Sequence, residues 1–466
     1  MKRNLMANLV LDGVGESLVS SAGGVLLRET VRVSGLARLM SQALAPWRSV
    51  RAVHDPGKML VDLATAVALG GDCAADLGVV RAQPALFGPV ASDPTVSRLV
   101  TALAADIDVA LPAIRVARAA ARGHVWDRCR PLDGKPGSRD GGQVIVDLDA
   151  TLVRAHSDKE GAQPTYKRGY GFAPMCAFVD HGEYGTGETL LVELRPGRAS
   201  AFDIATHLDV VDQALGQLPE RERGQVLIRT DSAGCSKAFL HRLTELGLHY
   251  SVGFPAMETV KAALDVLPPQ AWQPALDSNG EPRNGAQVAE LTAWLPEPVP
   301  ATRPGPQTWP DRMRVIARRE IPHEGAQLRL TDEDGWRITC FATNTHGTGW
   351  TLPVLEVRHR QRARAEDRIR GLKDTGLRNL PYHCFAANQI WLEIVALAAD
   401  LLAWAQTLAF PTTAAARRWE PKRLRLRLLS VAGRIIRSGR RRCLRLPTAW
   451  PWASLIHQGW TRLNAP

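Results

Sequence analysis

The chain has 466 residues, more than one hydrophobic core usually holds, so two or three folding units are expected rather than one. Its 45% apolar content, with 39 Gly and 31 Pro, excludes a fibrous or wholly disordered protein. The formal charge of +11 is local: residues 417–445 carry twelve Lys or Arg against one acid, Glu420, which points to a polyanion partner, nucleic acid or an acidic membrane surface.

Residues 1–130 read mostly as helix. The start, MKRNLMANLVLDGVGES, has only a short apolar run before Asp12, too brief for a secretory leader, so a cytoplasmic protein is expected. Helical patterns follow at LARLMSQAL (36–44), GKMLVDLATAVALGG (57–71) and SDPTVSRLVTALAADI (92–107). In the last, Asp93 is the expected cap and Pro94 opens the first turn, while Val96, Leu99, Val100 and Leu103 share one face. Thr95, Ser97 and Arg98 are left outward. That suits a DNA-binding module of helix-turn-helix type with Arg98 as a contact, and it suits any small helical bundle equally.

From about residue 142 the pattern changes to strands: QVIVDLDAT (143–151), FAPMCAFVD (172–180) and ETLLVELRP (188–196). A helix at 203–217, the strand VLIRTDS (226–232), a helix at 236–247, HYSVGF and a further helix complete a mixed α/β unit spanning 142–267 and 334–410. Its order resembles the ribonuclease-H-like fold. Between, residues 268–333 form an expected Pro-rich β insertion, with eleven of the 31 prolines in residues 268–322. The apolar run IWLEIVALAADLLAWAQTLAF (390–410) is broken by Glu393, Asp400 and Gln406, which predicts a buried helix rather than a membrane span. In the tail, 411–466, Leu424, Leu428, Val431 and Ile435 recur at helical spacing with Arg425, Arg427, Arg434 and Arg437 between them. A basic amphipathic helix lying on a DNA backbone is expected there. Seven cysteines without a C-x-x-C pair predict neither disulfides nor a structural zinc site.

Asp149 and Asp231 end the first and fourth strands, and Glu366 lies on a helix beginning near Leu352. On a helical wheel of about 100° per residue, His359, Arg362, Glu366 and Lys373 fall within about 60° of one another. Magnesium prefers oxygen ligands, so two strand-end carboxylates and a helical one are a plausible cage, with the cations beside it for phosphates.

The spacing His359-x2-Arg362-x3-Glu366-x6-Lys373 resembles the Y-x2-R-x3-E-x6-K signature of DDE transposases of bacterial insertion sequences. DLDAT (147–151) and RTDSAG (229–234) resemble their two aspartate motifs. The phrases GDCAADLGVVRAQPALFGPVASDPTVSRL (71–99), ELRPGRAS (193–200) and GLKDTGLRNLP (371–381) resemble insertion-sequence family thirteen-eighty, and the similarity runs from about 35 to 410. The resemblance implies a ribonuclease-H-like catalytic domain preceded by a helical DNA-binding region. It also implies a catalytic, metal-holding triad of Asp149, Asp231 and Glu366 with two Mg²⁺ or Mn²⁺ ions, and phosphate contacts at Arg362 and Lys373. The implied activity is cleavage at terminal inverted repeats of double-stranded DNA and joining of the 3′-OH ends to target DNA, by a homodimer associated with the bacterial nucleoid. His359 stands where the signature has Tyr, and Asp147 shares a strand face with Asp149, the D-x-T match favouring Asp149. A non-catalytic DNA-binding derivative and a nuclease that cuts without joining are the alternatives.

Overall fold

The computed structural model of the chain describes residues 17–133, 142–295, 306, 308–327 and 332–465. The basic N-terminal start and residues 296–305 and 328–331 of the expected insertion lie outside the described residues.

Five strands form the middle of the molecule: β1 (Val144–Ala150), β2 (Met175–Val179), β3 (Glu188–Glu193), β4 (Val226–Thr230) and β5 (His249–Phe254). They lie side by side in the order β3-β2-β1-β4-β5; β1, β3, β4 and β5 run in one direction, and β2 alone runs opposite, antiparallel to both its neighbours. Strands β1, β2 and β4 are buried along nearly their whole length, and are mostly apolar, because both faces of the sheet are covered. The expected insertion does not stand apart. Its strands β6 (Gln273–Leu276), β7 (Pro282–Glu290) and β8 (Arg314–Glu320) continue the same sheet through β9 (Trp336–Thr343), which pairs with β5.

The N-terminal helices include α1 (Pro56–Ala68), α2 (Asp93–Ala105) and α3 (Ile107–Asp133), while α4 (Ile204–Gly216), α5 (Lys237–Glu245) and α6 (Glu258–Asp265) follow within the sheet region. In α2, Val96, Leu99, Val100 and Leu103 are buried as expected, but Ser92 caps it; Asp93 lies inside the helix, its carboxylate taken by Arg81 at 2.6 Å. These helices do not close a core of their own. They pack around the long apolar helix α9 (Phe385–Ala409), and one hydrophobic core runs through both regions and the sheet. Helix α9 is long and apolar enough to cross a membrane, but it is buried in protein. Its two acids show why it belongs there. Arg115, Arg118 and Arg122, on one face of α3, hold Glu393 (2.7 and 2.5 Å) and Asp400 (3.0 and 2.7 Å), and Arg122 also reaches Glu188 of β3 at 2.7 Å.

The tail departs from the expected amphipathic helix. Helical turns stop at Leu429, Gly433–Ser438 (β10) and Arg441–Arg445 (β11) form a hairpin, and helix resumes only at Ala453–Leu463. The β-branched pair Ile435–Ile436 and the turn after Ser438 favour strand, and every-fourth-residue leucine spacing does not outweigh them.

Candidate active site

Asp149 and Asp231 reach the same place because β1 and β4 are adjacent and parallel, with Asp147 directly opposite Arg229. Two residues further along each strand, both acids emerge at the carboxyl ends. Asp231 opens a tight turn in which its Oδ1 accepts the Ala233 amide at 3.0 Å. That turn passes close over β5, where a Cβ on Gly253 would stand 2.7 Å from the Ser232 nitrogen.

Glu366 arrives on the helical run made of α7 (Leu352–Arg360), a tighter turn at Gln361–Ala363 and α8 (Arg364–Leu372). Asp149, Asp231 and Glu366 line one cleft of about 400 Å³, with Thr151, Tyr166, Lys167, Arg195 and His207. Arg362 Nη1 lies 3.5 Å from Asp149 Oδ2. Burial pushes the Asp149 carboxyl up to about 6; Arg362 opposes that rise, and the charges of Asp231 and Glu366 add to it. The cleft therefore holds more carboxylate than its ion-paired guanidinium neutralises.

The other arginines around Glu366 face away from the cleft. Arg368 meets Asp180 at 2.5 Å and Asp147 at 3.5 Å, while Arg364 reaches Asp180 at 3.3 Å. Arg229 bonds Asp147 (2.6 and 2.8 Å), Asp180 (2.6 Å) and the Arg358 carbonyl (2.8 Å). Burial alone would raise the Asp180 carboxyl, but Arg368, Arg229 and Arg364 hold it well below the usual range. This buried network clamps α8 to the sheet and so positions Glu366, which stays exposed in the cleft. It also separates the two candidate first acids: Asp147 is wholly buried in the clamp, and Asp149 lines the cleft.

Residues 2–465 match the family described as Transposase DDE domain group 1. The chain belongs to the DDE transposase family. A comparison with curated proteins finds no match. Among solved structures, the piggyBac transposase synaptic complex with hairpin DNA is similar at 8% identity and a TM-score of 0.40, over 96% of this chain and 83% of that one.

The remaining expected site residues of the transposase fall in different places. Lys373, its ammonium pKa lowered by burial, lines a second cavity with Thr151, Leu152, Arg154 and Tyr170; this cavity shares Thr151, Tyr166 and Lys167 with the triad cleft. His359 turns away from the triad. Its ring stacks on Phe341 (4.4 Å, 6°) and its Nδ1 bonds the Ser251 hydroxyl at 2.9 Å. Burial, then the nearby Arg362, Arg229 and Arg318, lower its pKa to about 3, so it is neutral. Arg98 is exposed on α2, donating to the Thr95 hydroxyl at 3.2 Å.

In the tail, Arg425 is occupied: it donates to the Ala68 and Asp374 carbonyls and the Thr375 hydroxyl at 2.9, 2.7 and 2.9 Å. Arg427 is sandwiched by Trp419 and Trp452 at 4.7 and 5.0 Å. Arg434 and Arg437 are exposed on the hairpin. Tyr166 and Lys167 in the cleft wall were not singled out by the sequence reading, although PTYKRGYG, mixing aromatic and basic residues, carried a signal.

Proposed function

We propose that this transposase cuts DNA at the ends of a bacterial insertion sequence of family thirteen-eighty type and joins the freed 3′-OH ends to target DNA. The observation that carries the reading is the convergence of Asp149, Asp231 and Glu366, distant in sequence, on one cleft. The strand order β3-β2-β1-β4-β5 supports a ribonuclease-H-like catalytic core, with β6 to β8 as its insertion.

The donor set fits divalent cations: three carboxylates, one of them desolvated and destabilised as an anion by the other two. Asp149, Asp231 and Glu366 would hold the pair. When bound, two Mg²⁺ or Mn²⁺ ions supply a water of lowered pKa and a counter-charge for the departing 3′ oxygen. Arg362 and Lys373 flank the acids and neutralise phosphates on either side of the scissile bond. The enzyme acts as a homodimer on double-stranded DNA in the cytoplasm, at the nucleoid, because two ends must be held at once.

The test is cleavage of a labelled inverted-repeat duplex with Mg²⁺ or Mn²⁺. Wild type is expected to give cleaved and then strand-transfer products, with Asp231→Ala and Glu366→Gln slower by at least about 100-fold. Equal inertness of all three, with duplex binding intact, would sink the reading.

A further inference from the structure

We propose that the β10–β11 hairpin is a second DNA-binding element, a preformed two-stranded ribbon that grips the phosphate backbone of double-stranded DNA independently of the catalytic cleft. It rests on the reading above only for the choice of DNA as partner.

The charge comes first. Residues 433–445 contain Arg434, Arg437, Arg440, Arg441, Arg442 and Arg445, and no acid occurs anywhere after Glu420. All six are exposed. The strand register sets Arg434 opposite Arg445 and Arg437 opposite Arg442. Like charges directly across a strand pair disfavour the fold, so nothing in the hairpin's own stability selects this arrangement. A polyanion laid across it removes the repulsion.

The shape follows from the pairing. A third strand, Leu18–Val19, covers only the base, at Arg434 and Gly433. Beyond it the hairpin is two strands wide, closed by a two-residue turn with Gly439 at φ 59°. A ribbon of two strands is the width that the DNA major groove, about 12 Å across, admits between its phosphate walls. The base is rigid. Ile435 and Leu444 pack on the hydrophobic core, a Cβ on Gly433 would stand 2.7 Å from the Ala22 Cβ, and the Trp450 indole donates to the Arg427 carbonyl at 2.8 Å. The cations are thus presented without ordering a flexible tail.

The same features disfavour a membrane. The hairpin holds no Trp, Tyr or Phe, and two of its three larger apolar residues, Ile435 and Leu444, are already turned to the core, so little remains to enter lipid.

The experiment titrates a random-sequence duplex into the full chain over a NaCl series, comparing wild type with the triple variants R437Q/R441Q/R442Q and R437K/R441K/R442K. The Gln variant is expected to flatten the log Kd against log salt slope by about 2–3, near 0.9 per lost phosphate contact, and the Lys variant to restore it. A Gln variant with wild-type slope and affinity would overturn the proposal, as would wild-type chain that binds anionic vesicles through these arginines and duplex without them. Should wild type fail to cleave while the Gln variant still loses duplex affinity, the catalytic reading falls and the ribbon stands.

Discussion

Two arginine-rich stretches, 358–370 and 433–445, look alike in composition and do opposite work. In the first, Arg364 and Arg368, with Arg229 from β4, surround Asp180 and Asp147 in the protein interior. In the second, six arginines are exposed, four of them paired across the strands as Arg434–Arg445 and Arg437–Arg442, with no acid in reach along the chain. The difference lies in the partners: carboxylates delivered by β1 and β2 make a scaffold of the first set, and their absence leaves the second set for an external anion. Arg362 is intermediate: it meets Asp149, which lines a cleft holding further acids.

Breaking the first stretch should have the largest effect. Arg229→Met leaves Asp147 and Asp180 buried without their main partner and is expected to cost about 3–5 kcal/mol in denaturant unfolding. A loss under 1 kcal/mol would mean that the clamp does not organise the sheet.

The intermediate case gives the next effect, with opposite sign. The Asp149 carboxyl has a folded pKa of about 6, above its unfolded value, so the folded state binds the extra proton. Stability without metal should therefore fall as pH rises from about 4 to about 6, and Asp149→Asn should remove that fall. The expected gain at pH 7 is at most about 3 kcal/mol, two pK units at 1.36 kcal/mol each, vanishing below about pH 4; thermal melts of metal-free protein across this range check it.

Gly253→Ala sharpens the comparison by moving the cleft without touching a charge. Its methyl would displace the Asp231 turn, at about 1–3 kcal/mol, and cleavage should fall by more than that stability loss accounts for. The smallest change belongs to the ribbon. Removing Arg437, Arg441 and Arg442 should alter unfolding free energy by no more than about 0.5 kcal/mol, even as DNA affinity drops.

Much of the central sheet was legible because buried parallel strands advertise themselves as apolar runs. VIVDLDA and VLIRT could be placed from pattern alone, and the acids at their ends followed. Glu366 was legible only through its spacing to Arg362 and Lys373, since an acid among arginines on a helix has no local mark of its role. The clamp was not legible, because Asp180 lies 188 residues from Arg368 and only strand pairing makes them neighbours. The surroundings of His359 were not legible for the same reason: Phe341, which stacks on its ring, and Ser251, which bonds its Nδ1, come from β9 and β5. In the tail, Leu424 and Leu428 do lie in helical turns, but the spacing was extended too far, across β-branched residues that pair as strand.

By itself the sequence determined the apolar strands, the acids at their ends, the buried character of α9 and the surplus of positive charge in the tail. These follow from local pattern, short-range sterics and composition. Tertiary structure alone decided which arginines meet carboxylates, which aspartate of the Asp147–Asp149 pair enters the cleft, and whether the tail's cations ride on a helix or a ribbon. Electrostatic pairing falls off over a few ångströms, and which groups come that close is set by elements far apart in the chain.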